Sequence, residues 1–259
     1  MIILTGSKGF IGQNFLSCLQ EPVIEVEKDD CFRFLSSFDR WNEVSLILHQ
    51  GAISSTTERN IRTLHHHNVE FTLQLFERAI QYQIPVKYAS SASVYGNTNG
   101  QINPLNYYAI TKLQIDYFVQ DNLDRFSSIQ GFRYFNVYGI GEDHKEDQAS
   151  PISKFTKQIR ETGKLKLFEG SDKFLRDFIC VDDIVNIVLN NEAPSGIYDL
   201  GTGKPISFQE VAEFIAQKED GEIEYIPFPD HLVGKYQTYT CANNLFDYQF
   251  KSVKEYLQL

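Results

Sequence analysis

The sequence is poor in the features that mark secreted, metal-binding or membrane-spanning chains. Only four cysteines occur in 259 residues, without a Cys-x-x-Cys pair, so neither a disulfide framework nor a zinc site is indicated. No apolar run approaches the roughly 20 residues needed to cross a bilayer, and no signal-peptide pattern follows Met1. We therefore expect a cytoplasmic protein with reduced cysteines and no membrane partner.

An excess of basic residues is also missing. The chain has 24 Lys and Arg against 34 Asp and Glu, a net charge of −10. This sign opposes a long phosphate backbone, so no nucleic-acid partner is expected, although local basic groups can still hold a small anionic ligand. Three consecutive histidines, His65, His66 and His67, would point in three directions on a helix, and no metal site is predicted.

Short apolar runs alternate with amphipathic stretches along the chain, which is typical of a parallel sheet covered by helices. The sequence predicts an α/β fold with a Rossmann-like doubly wound parallel sheet. We expect a stunted strand and one helix between Cys31 and Trp41, and Asp182 or Asp183 as the cap of a later helix. The regular alternation of predicted strands and helices ends after Gly139. This change predicts two lobes, each formed from separate stretches of the chain. Predicted strands are 2–5, 23–27, 45–49, 86–90, 129–135, 165–168, 196–200 and 223–226, and predicted helices are 10–19, 60–82, 107–122, 151–162, 182–189 and 208–217.

A glycine-rich loop joins the first predicted strand to the first predicted helix. Gly6, Gly9 and Gly12 have the spacing Gly-x-x-Gly-x-x-Gly, with Phe10 and Ile11 between the last two. Glycines permit a tight turn and let a pyrophosphate approach the backbone, while the helix N-terminus supplies free amides and the positive end of its dipole. The loop predicts a dinucleotide site that these five residues form.

The residues at the end of the second predicted strand bear on the choice of dinucleotide. Glu27 stands about 20 residues beyond the glycine loop, where an acidic residue can hold the ribose diol of NAD. The neighbouring Lys28 can instead pair with the 2′-phosphate of NADP. Both cofactors remain open at this point.

A tyrosine, a lysine and a serine form the candidate catalytic group. Tyr108 and Lys112 have the spacing Tyr-x-x-x-Lys, which places them one turn apart on one helix face. We expect the lysine ammonium to lower the tyrosine pKa, which would suit the phenol to general acid–base work. Ser91 follows a buried strand at the carboxyl edge of the sheet, where ligands of open α/β folds bind.

Together, the glycine loop, Ser91, Tyr108 and Lys112 resemble the extended short-chain dehydrogenase/reductase superfamily. Further motifs are similar to the ADP-L-glycero-D-manno-heptose 6-epimerases of lipopolysaccharide core synthesis. The matching segments are His49–Ala52, Gly131–Gly139, His144–Lys145, Lys166–Ser171, Arg176–Phe178, Gly196–Gly203 and Tyr225–Asp230.

This resemblance implies an NADP- or NAD-dependent epimerisation, and it favours NADP. C6 of the heptose would be oxidised to a 6-keto intermediate and reduced again on its other face. Tyr108 matches one acid/base of the family and Lys145 the other, while Asn68 matches an asparagine near the cofactor. Ser91 and Tyr108 would bracket the substrate hydroxyl, and Lys112 would also hold the nicotinamide ribose. The resemblance also implies a homo-oligomer assembled through outer helices.

The resemblance further implies how the substrate is held. Asn136 would donate to a diphosphate oxygen and Arg176 would clamp that phosphate, with Lys154, Phe168 and Tyr236 as further contacts. Residues 1–139 and 178–200 would form the dinucleotide-binding domain, and residues 140–177 and 201–259 the nucleotide-sugar-binding lobe. Two alternatives stay open, which are a 4-epimerase or 4-ketoreductase on another nucleotide sugar, and a non-catalytic dinucleotide sensor or scaffold.

Overall fold

A computed structural model describes residues 1–98, 100–142, 145, 148–230, 237–243 and 246–259. Its strands are β1 (Ile2–Thr5), β2 (Val23–Val26), β3 (Leu46–His49), β4 (Val86–Ser91), β5 (Ile129–Tyr134), β6 (Asn136–Tyr138), β7 (Lys164–Phe168), β8 (Leu175–Arg176), β9 (Phe178–Cys180), β10 (Gly196–Leu200), β11 (Ile206–Ser207) and β12 (Glu222–Ile226). Its α-helices are α1 (Phe10–Cys18), α2 (Cys31–Ser37), α3 (Ile61–Leu64), α4 (Phe71–Tyr82), α5 (Tyr107–Asp121), α6 (Pro151–Thr162), α7 (Val181–Asn190), α8 (Phe208–Glu219) and α9 (Val253–Leu257).

Six parallel strands form the central sheet in the order β10-β5-β4-β3-β1-β2. The chain first moves from β1 to one edge at β2 and then crosses to β3 on the other side of β1. This reversal opens a crevice at the carboxyl ends of β1 and β3, which is where ligands of such folds bind. The predicted Rossmann-like α/β fold is confirmed.

Helices cover both faces of this sheet, because its strands are apolar on both sides. One buried cluster joins the sheet to α2, α4 and α5, with Leu75, Phe76 and Ile115 among its members. A second cluster on the opposite face joins the sheet to α1 and α7, with Phe15 and Ile184 at its centre. The two clusters fix the edge of the sheet that carries the candidate site.

Beyond the central sheet, three two-stranded pairs lie around a separate apolar cluster. β6 pairs with β9 and β7 with β12 in parallel, whereas β8 and β11 are antiparallel. Side chains from α6, α8 and α9 fill the cluster between these elements. These strand pairs and helices suit a smaller lobe for the substrate. The boundaries of the two lobes stay a prediction.

Three local features differ from the sequence-based expectations. Residues 31–41 contain α2 and the start of a 3₁₀ turn, Trp41–Glu43, but no strand. The long predicted helix is present, yet residues His65–Glu70 form a π-helical turn between α3 and α4. Helix α7 begins at Val181 without a side-chain cap. None of the helices in the described parts of the chain is long and apolar enough to cross a membrane.

Candidate active site

A cavity of about 480 Å³ lies at the carboxyl edge of the central sheet, beside the crevice between β1 and β3. The structure brings most of the sequence-predicted site residues together in its wall. Those residues are Gly6, Gly9, Phe10, Ile11, Gly12, Glu27, Lys28, Ser91, Tyr108, Lys112, Asn136 and Lys145.

The glycine loop leaves no room for side chains on its inner surface. Gly6 has a φ of +68°, and a Cβ atom there would lie 2.6 Å from the Cα of Gly51. A Cβ atom on Gly12 would lie 2.0 Å from the carbonyl oxygen of Gly6. Gly9 precedes α1 and provides no side-chain cap, so the first amides of the helix face the cavity edge unpaired by a cap. This cradle suits a pyrophosphate.

The carboxylate of Glu27 is fixed at one end of the cavity. Its Oε1 accepts hydrogen bonds from the Ser7 hydroxyl at 2.8 Å and from the Lys8 amide at 2.9 Å. Lys28 lines the same end but is exposed. A carboxylate held by two hydrogen bonds and an exposed ammonium therefore lie together at the position expected for the adenosine ribose.

Three buried polar atoms of residues in the cavity wall have no hydrogen-bond partner among the described residues, namely Gln50 Nε2, His67 Nδ1 and Ser90 Oγ. The Tyr134 hydroxyl donates to Gln50 Oε1 at 3.0 Å, which turns the amide nitrogen away from Tyr134. A buried donor without an acceptor is costly. These atoms, together with the glycine cradle and Glu27, fit a bound nicotinamide dinucleotide.

The candidate catalytic group lies on α5 and at the end of β4. Asn106 caps α5 by accepting the Ala109 amide at 2.8 Å, so Tyr108 and Lys112 occupy the first two turns. The Lys112 ammonium donates to the Ala89 carbonyl at 2.7 Å and lies 6.0 Å from the Tyr108 ring centroid. Both side chains line the cavity beside Ser91.

The expected lowering of the Tyr108 pKa by Lys112 is wrong for this arrangement. Burial raises the Tyr108 pKa, and the hydrogen bond with Ser91 opposes that rise only in part. Burial also lowers the Lys112 pKa to about 8, against the charge of Asp116, which raises it. In the folded chain, burial therefore raises the Tyr108 pKa more than the hydrogen bond with Ser91 lowers it.

A relay of buried side chains connects the cavity wall to the π-helical turn. The Gly51 amide donates to Thr5 Oγ1 at 2.9 Å, and Thr5 Oγ1 lies 2.7 Å from His49 Nδ1. His49 Nε2 lies 2.8 Å from Thr72 Oγ1, which donates to the Asn68 carbonyl at 2.7 Å. Because Thr72 donates onward, it accepts the Nε2 proton. The Thr5 hydroxyl, which accepts the Gly51 amide, can donate its own proton to Nδ1, and this arrangement fits a neutral His49. Burial lowers the His49 pKa to about 3.

Asn68 lies behind the cavity wall rather than in it. Its Oδ1 accepts the Ile53 amide at 2.8 Å, and its Nδ2 donates to the Ile53 carbonyl at 3.0 Å and to Thr111 Oγ1 at 3.1 Å. Ile53 lines the cavity, and Thr111 lies on α5 next to Lys112. The asparagine therefore joins the loop after β3 to the helix that carries Tyr108.

Lys145 enters the cavity from the segment that follows β6. Its Nζ lies 5.1 Å from the ring centroid of Phe10, at the start of α1. Burial lowers its pKa, and the charge of Glu142 acts in the opposite direction. An amine with a lowered pKa and a phenol from α5 thus line one cavity together.

Of the residues predicted to bind the substrate, some line the cavity and others lie outside its wall. Asn136 lines the cavity, and its Oδ1 accepts from the Thr240 hydroxyl at 3.1 Å, which leaves its amide nitrogen as a donor. Arg176 is buried outside the wall and donates to the carbonyl oxygens of Gln237 and Leu175. Lys154 and Phe168 also lie outside the wall, and Phe168 packs on Phe228. Tyr236 lies outside the described residues.

Sequence reasoning assigned no role to several residues of this site. Gln50 and Tyr134 form a hydrogen-bonded pair in the wall, and Gln148 and Ala149 close it beside Lys145. Gln50 immediately follows β3 at the edge where ligands bind, and this position was the available signal. Tyr134 ends β5 at the same edge and carries the same signal, whereas no local pattern marks Gln148 and Ala149.

Comparison with solved structures shows the same architecture in nucleotide-sugar epimerases. The ADP-L-glycero-D-manno-heptose-6-epimerase of Helicobacter pylori is 26% identical, with a TM-score of 0.87 over 99% of this chain and 93% of that chain. A UDP-N-acetylglucosamine 4-epimerase from Methanobrevibacter ruminantium is 18% identical, with a TM-score of 0.84 over 99% and 96%. The NAD complex of the Thermus thermophilus UDP-glucose 4-epimerase is 21% identical, with a TM-score of 0.77 over 94% and 90%.

A protein-family model covers most of the chain as well. The model of the NAD dependent epimerase/dehydratase family matches residues 2–201, which contain β1 to β10 and the glycine loop. The match also contains Ser91, Tyr108, Lys112 and Lys145, all of which line the cavity. The chain belongs to the NAD-dependent epimerase/dehydratase family.

Proposed function

We propose that this protein inverts C6 of ADP-D-glycero-D-manno-heptose to the L-glycero form through a transient 6-keto intermediate. The observation that carries the proposal is the presence of Tyr108 and Lys145 in one cavity with the glycine loop, although they come from separate segments. Similarity to the H. pylori heptose epimerase supports the choice of sugar. The product would be a precursor for the lipopolysaccharide core.

The chemistry requires two proton-transfer groups. Oxidation at C6 removes a hydride and the hydroxyl proton, and the proton goes to a base in the wall. When bound, the nicotinamide would accept that hydride and return it to the same carbon. An epimer forms only if the ketone presents its opposite face, and its oxygen then needs a donor on the other side. Tyr108 and Lys145 take these two roles, with Ser91 as a hydrogen-bond partner of the phenol.

Burial lowers the pKa of Lys145, which eases the loss of its proton and so suits a group that exchanges protons with the substrate. Lys112 holds a different position, because its ammonium is bound to the Ala89 carbonyl and lies beside Tyr108. We assign it to the cofactor ribose and to orientation of the phenol. Asn68 supports this geometry from behind by joining Ile53 to Thr111.

We propose NAD as the cofactor, against the NADP preference that the sequence resemblance implies. Gly6, Gly9 and Gly12 would cradle the pyrophosphate, with Phe10 and Ile11 beside them. Glu27 is fixed by Ser7 and Lys8, and its charge would repel a 2′-phosphate. Lys28 is exposed and lacks such fixing contacts in the described structure.

For the nucleotide sugar, we propose that the amide nitrogen of Asn136 donates to the diphosphate, since Thr240 occupies its Oδ1. Arg176, Lys154, Phe168 and Tyr236 stay predicted contacts of the substrate. Arg176 is positioned by the carbonyl oxygens of Gln237 and Leu175, next to the segment 237–243, which lies beside β8. A nucleotide sugar reaching this side would meet a guanidinium already oriented by the protein.

The test is incubation of the purified protein with ADP-D-glycero-D-manno-heptose, with NMR detection of the L-glycero epimer. Wild type is expected to convert either epimer to a mixture of both. Tyr108→Phe and Lys145→Ala should each abolish conversion and retain the bound dinucleotide. Failure of wild type to convert the heptose, with cofactor bound, would refute the proposal.

A 4-epimerase acting on a UDP-sugar is the second candidate, supported by the similarity to the M. ruminantium and T. thermophilus enzymes. That chemistry needs only the tyrosine as acid/base. Conversion of UDP-glucose or UDP-N-acetylglucosamine by wild type and by Lys145→Ala alike would establish it in place of the heptose reaction.

We also propose a homo-oligomer in the cytoplasm. Exposed apolar side chains lie on α5 and on its neighbour α3, with Ile61 and Tyr117 each 52% exposed and Ile110 40% exposed. Tyr107, Ile110 and Tyr117 are spaced by three and seven residues and share one face of α5. A second copy packing on this face would cover them, and light scattering of Tyr117→Lys against wild type tests this assembly.

A further inference from the structure

A buried carboxylate lies at the base of the segment that carries Lys145. Glu142 is 2% exposed. Its Oε1 accepts the Gly139 amide at 3.0 Å and the Ser150 hydroxyl at 2.8 Å, and its Oε2 accepts the Ser150 amide at 2.6 Å. The carboxylate thus joins the two ends of the segment 139–150.

The three donors hold the position of Glu142 firmly. A buried charge without partners is strongly unfavourable, whereas hydrogen bonds to a carboxylate are among the stronger ones in proteins. Ser150 is also the N-cap of α6, where its Oγ accepts the Ser153 amide at 3.3 Å. A negative charge near a helix N-terminus is favourable. The segment is therefore anchored at both ends, to β6 through Gly139 and to α6 through Ser150.

Lys145 is attached directly to this anchor. Its amide donates to the carbonyl oxygen of Glu142 at 2.8 Å. Its side chain reaches the cavity, where its Nζ lies 5.1 Å from the Phe10 ring centroid. Glu142 itself does not line the cavity. Its influence on the site must therefore pass through Lys145 or through the ends of the segment.

We propose that Glu142 is a positioning residue whose buried carboxylate closes the segment 139–150 and so holds the Lys145 ammonium in the cavity. The inference rests on the proposed function only in giving Lys145 a catalytic task. The placement of Lys145 itself can be measured without any substrate. A role confined to capping α6 would stabilise the fold without any selective effect on Lys145.

The first experiment measures the exposure of Lys145 in the holoenzyme. Glu142→Gln keeps the shape of the side chain but places an NH₂ group where an amide or hydroxyl donor now points. Because the charge of Glu142 also raises the Lys145 pKa, acetylation by acetic anhydride is followed by mass spectrometry over a pH series, and the limiting rate constant of the neutral Lys145 amine is expected to become about tenfold larger than in wild type. Lys157, which is 73% exposed, is the internal reference, and Glu222→Gln at the start of β12, where the carboxylate is 74% exposed and pairs with Lys164, is the matched control. An unchanged limiting rate constant of Lys145 would overturn the inference.

The second experiment separates the two proton-transfer groups. Each heptose epimer is mixed with the holoenzyme in a single turnover, and cofactor reduction is followed by absorbance. Lys145→Ala should block the reaction of one epimer and Tyr108→Phe that of the other. Glu142→Gln should slow the Lys145-dependent epimer by on the order of 10- to 100-fold and leave the other within about twofold. Equal slowing of both epimers would overturn the inference.

The two experiments distinguish failure of the inference from failure of the proposed function. If Lys145 acetylation rises in Glu142→Gln but Lys145→Ala still epimerises the heptose, the positioning role stands and the catalytic assignment of Lys145 falls. If Glu142→Gln does not fold, Ser150→Ala removes the hydroxyl donor to Oε1 together with the side-chain cap of α6, and it leaves the Ser150 amide bonded to Oε2. It is expected to shift Lys145 acetylation in the same direction by a smaller factor, and no shift in that variant would overturn the inference.

Discussion

His49 makes the stability of the cavity wall depend on pH. Its ring is buried between Thr5 and Thr72, and the direction of these hydrogen bonds fits the neutral form. Burial lowers the pKa in the folded chain to about 3, whereas an unfolded histidine titrates near about 6.5. Below that higher pKa the unfolded chain binds a proton that the folded chain does not. The stability that His49 contributes is therefore fully present above about pH 6.5 and is lost as the pH falls toward 3.

The expected magnitude follows from the two pKa values. At about pH 5, the unfolded histidine is stabilised by protonation while the folded one is still almost entirely neutral. Linkage then gives a loss of about 2 kcal/mol in the free energy of unfolding relative to about pH 7.5. Below about pH 3 the folded residue also titrates and the loss stops growing.

The assay is urea unfolding of wild type and His49→Gln at about pH 7.5 and pH 5. Glutamine does not titrate in this range, so the variant should lack the part of the pH-dependent loss that His49 contributes. The difference between the two losses should be about 2 kcal/mol. His65→Gln, whose side chain is 47% exposed in wild type, is the matched control and should lose stability as wild type does. Equal losses in His49→Gln and wild type would refute the reasoning.

Three further predictions concern the dinucleotide site. Gly12→Ala should purify without bound dinucleotide, because its Cβ would lie 2.0 Å from the Gly6 carbonyl, and mass spectrometry of the denatured supernatant checks this. Glu27→Ala should improve the Kd of NADP relative to that of NAD by on the order of tenfold in calorimetry, since a fixed like charge is removed; an unchanged ratio would contradict it. Gln50→Leu should weaken cofactor binding by about tenfold, because the Nε2 donor is lost, and wild-type affinity would show that Nε2 does not contact the cofactor.

Much of the fold could be predicted because its signals are local. The alternation of apolar runs and amphipathic stretches located the strands of the central sheet, and Gly6, Gly9 and Gly12 marked the loop between β1 and α1. The spacing of Tyr108 and Lys112 placed both on α5, where the structure has them. In each case the residues that form the pattern are within a few positions of one another, so the structure that they specify is local.

The expectations that were wrong depend on contacts distant in sequence. Asp182 and Asp183 lie in the first turn of α7, but their carboxylates bind Lys251, and Asp183 also accepts from Tyr248, so neither caps the helix. The pKa of Tyr108 rises because tertiary packing removes its ring from water, which the Tyr-x-x-x-Lys spacing does not reveal. Gln50 was missed for the same reason, since its partner Tyr134 lies 84 residues away. Glu142 was missed although its partners are near in sequence, because two of its three donors are backbone amides, which side-chain identity does not reveal.

The most direct test of the two-base account traces the hydrogen at C6. ADP-D-glycero-D-manno-heptose carrying deuterium at C6 is converted by the holoenzyme in ordinary water, and the L-glycero product is analysed by NMR and mass spectrometry. Direct oxidation and return of the same hydride between Tyr108 and Lys145 predicts that the product keeps its deuterium. Replacement of that deuterium by solvent hydrogen would mean that C6 is inverted by proton removal, and the account would be contradicted.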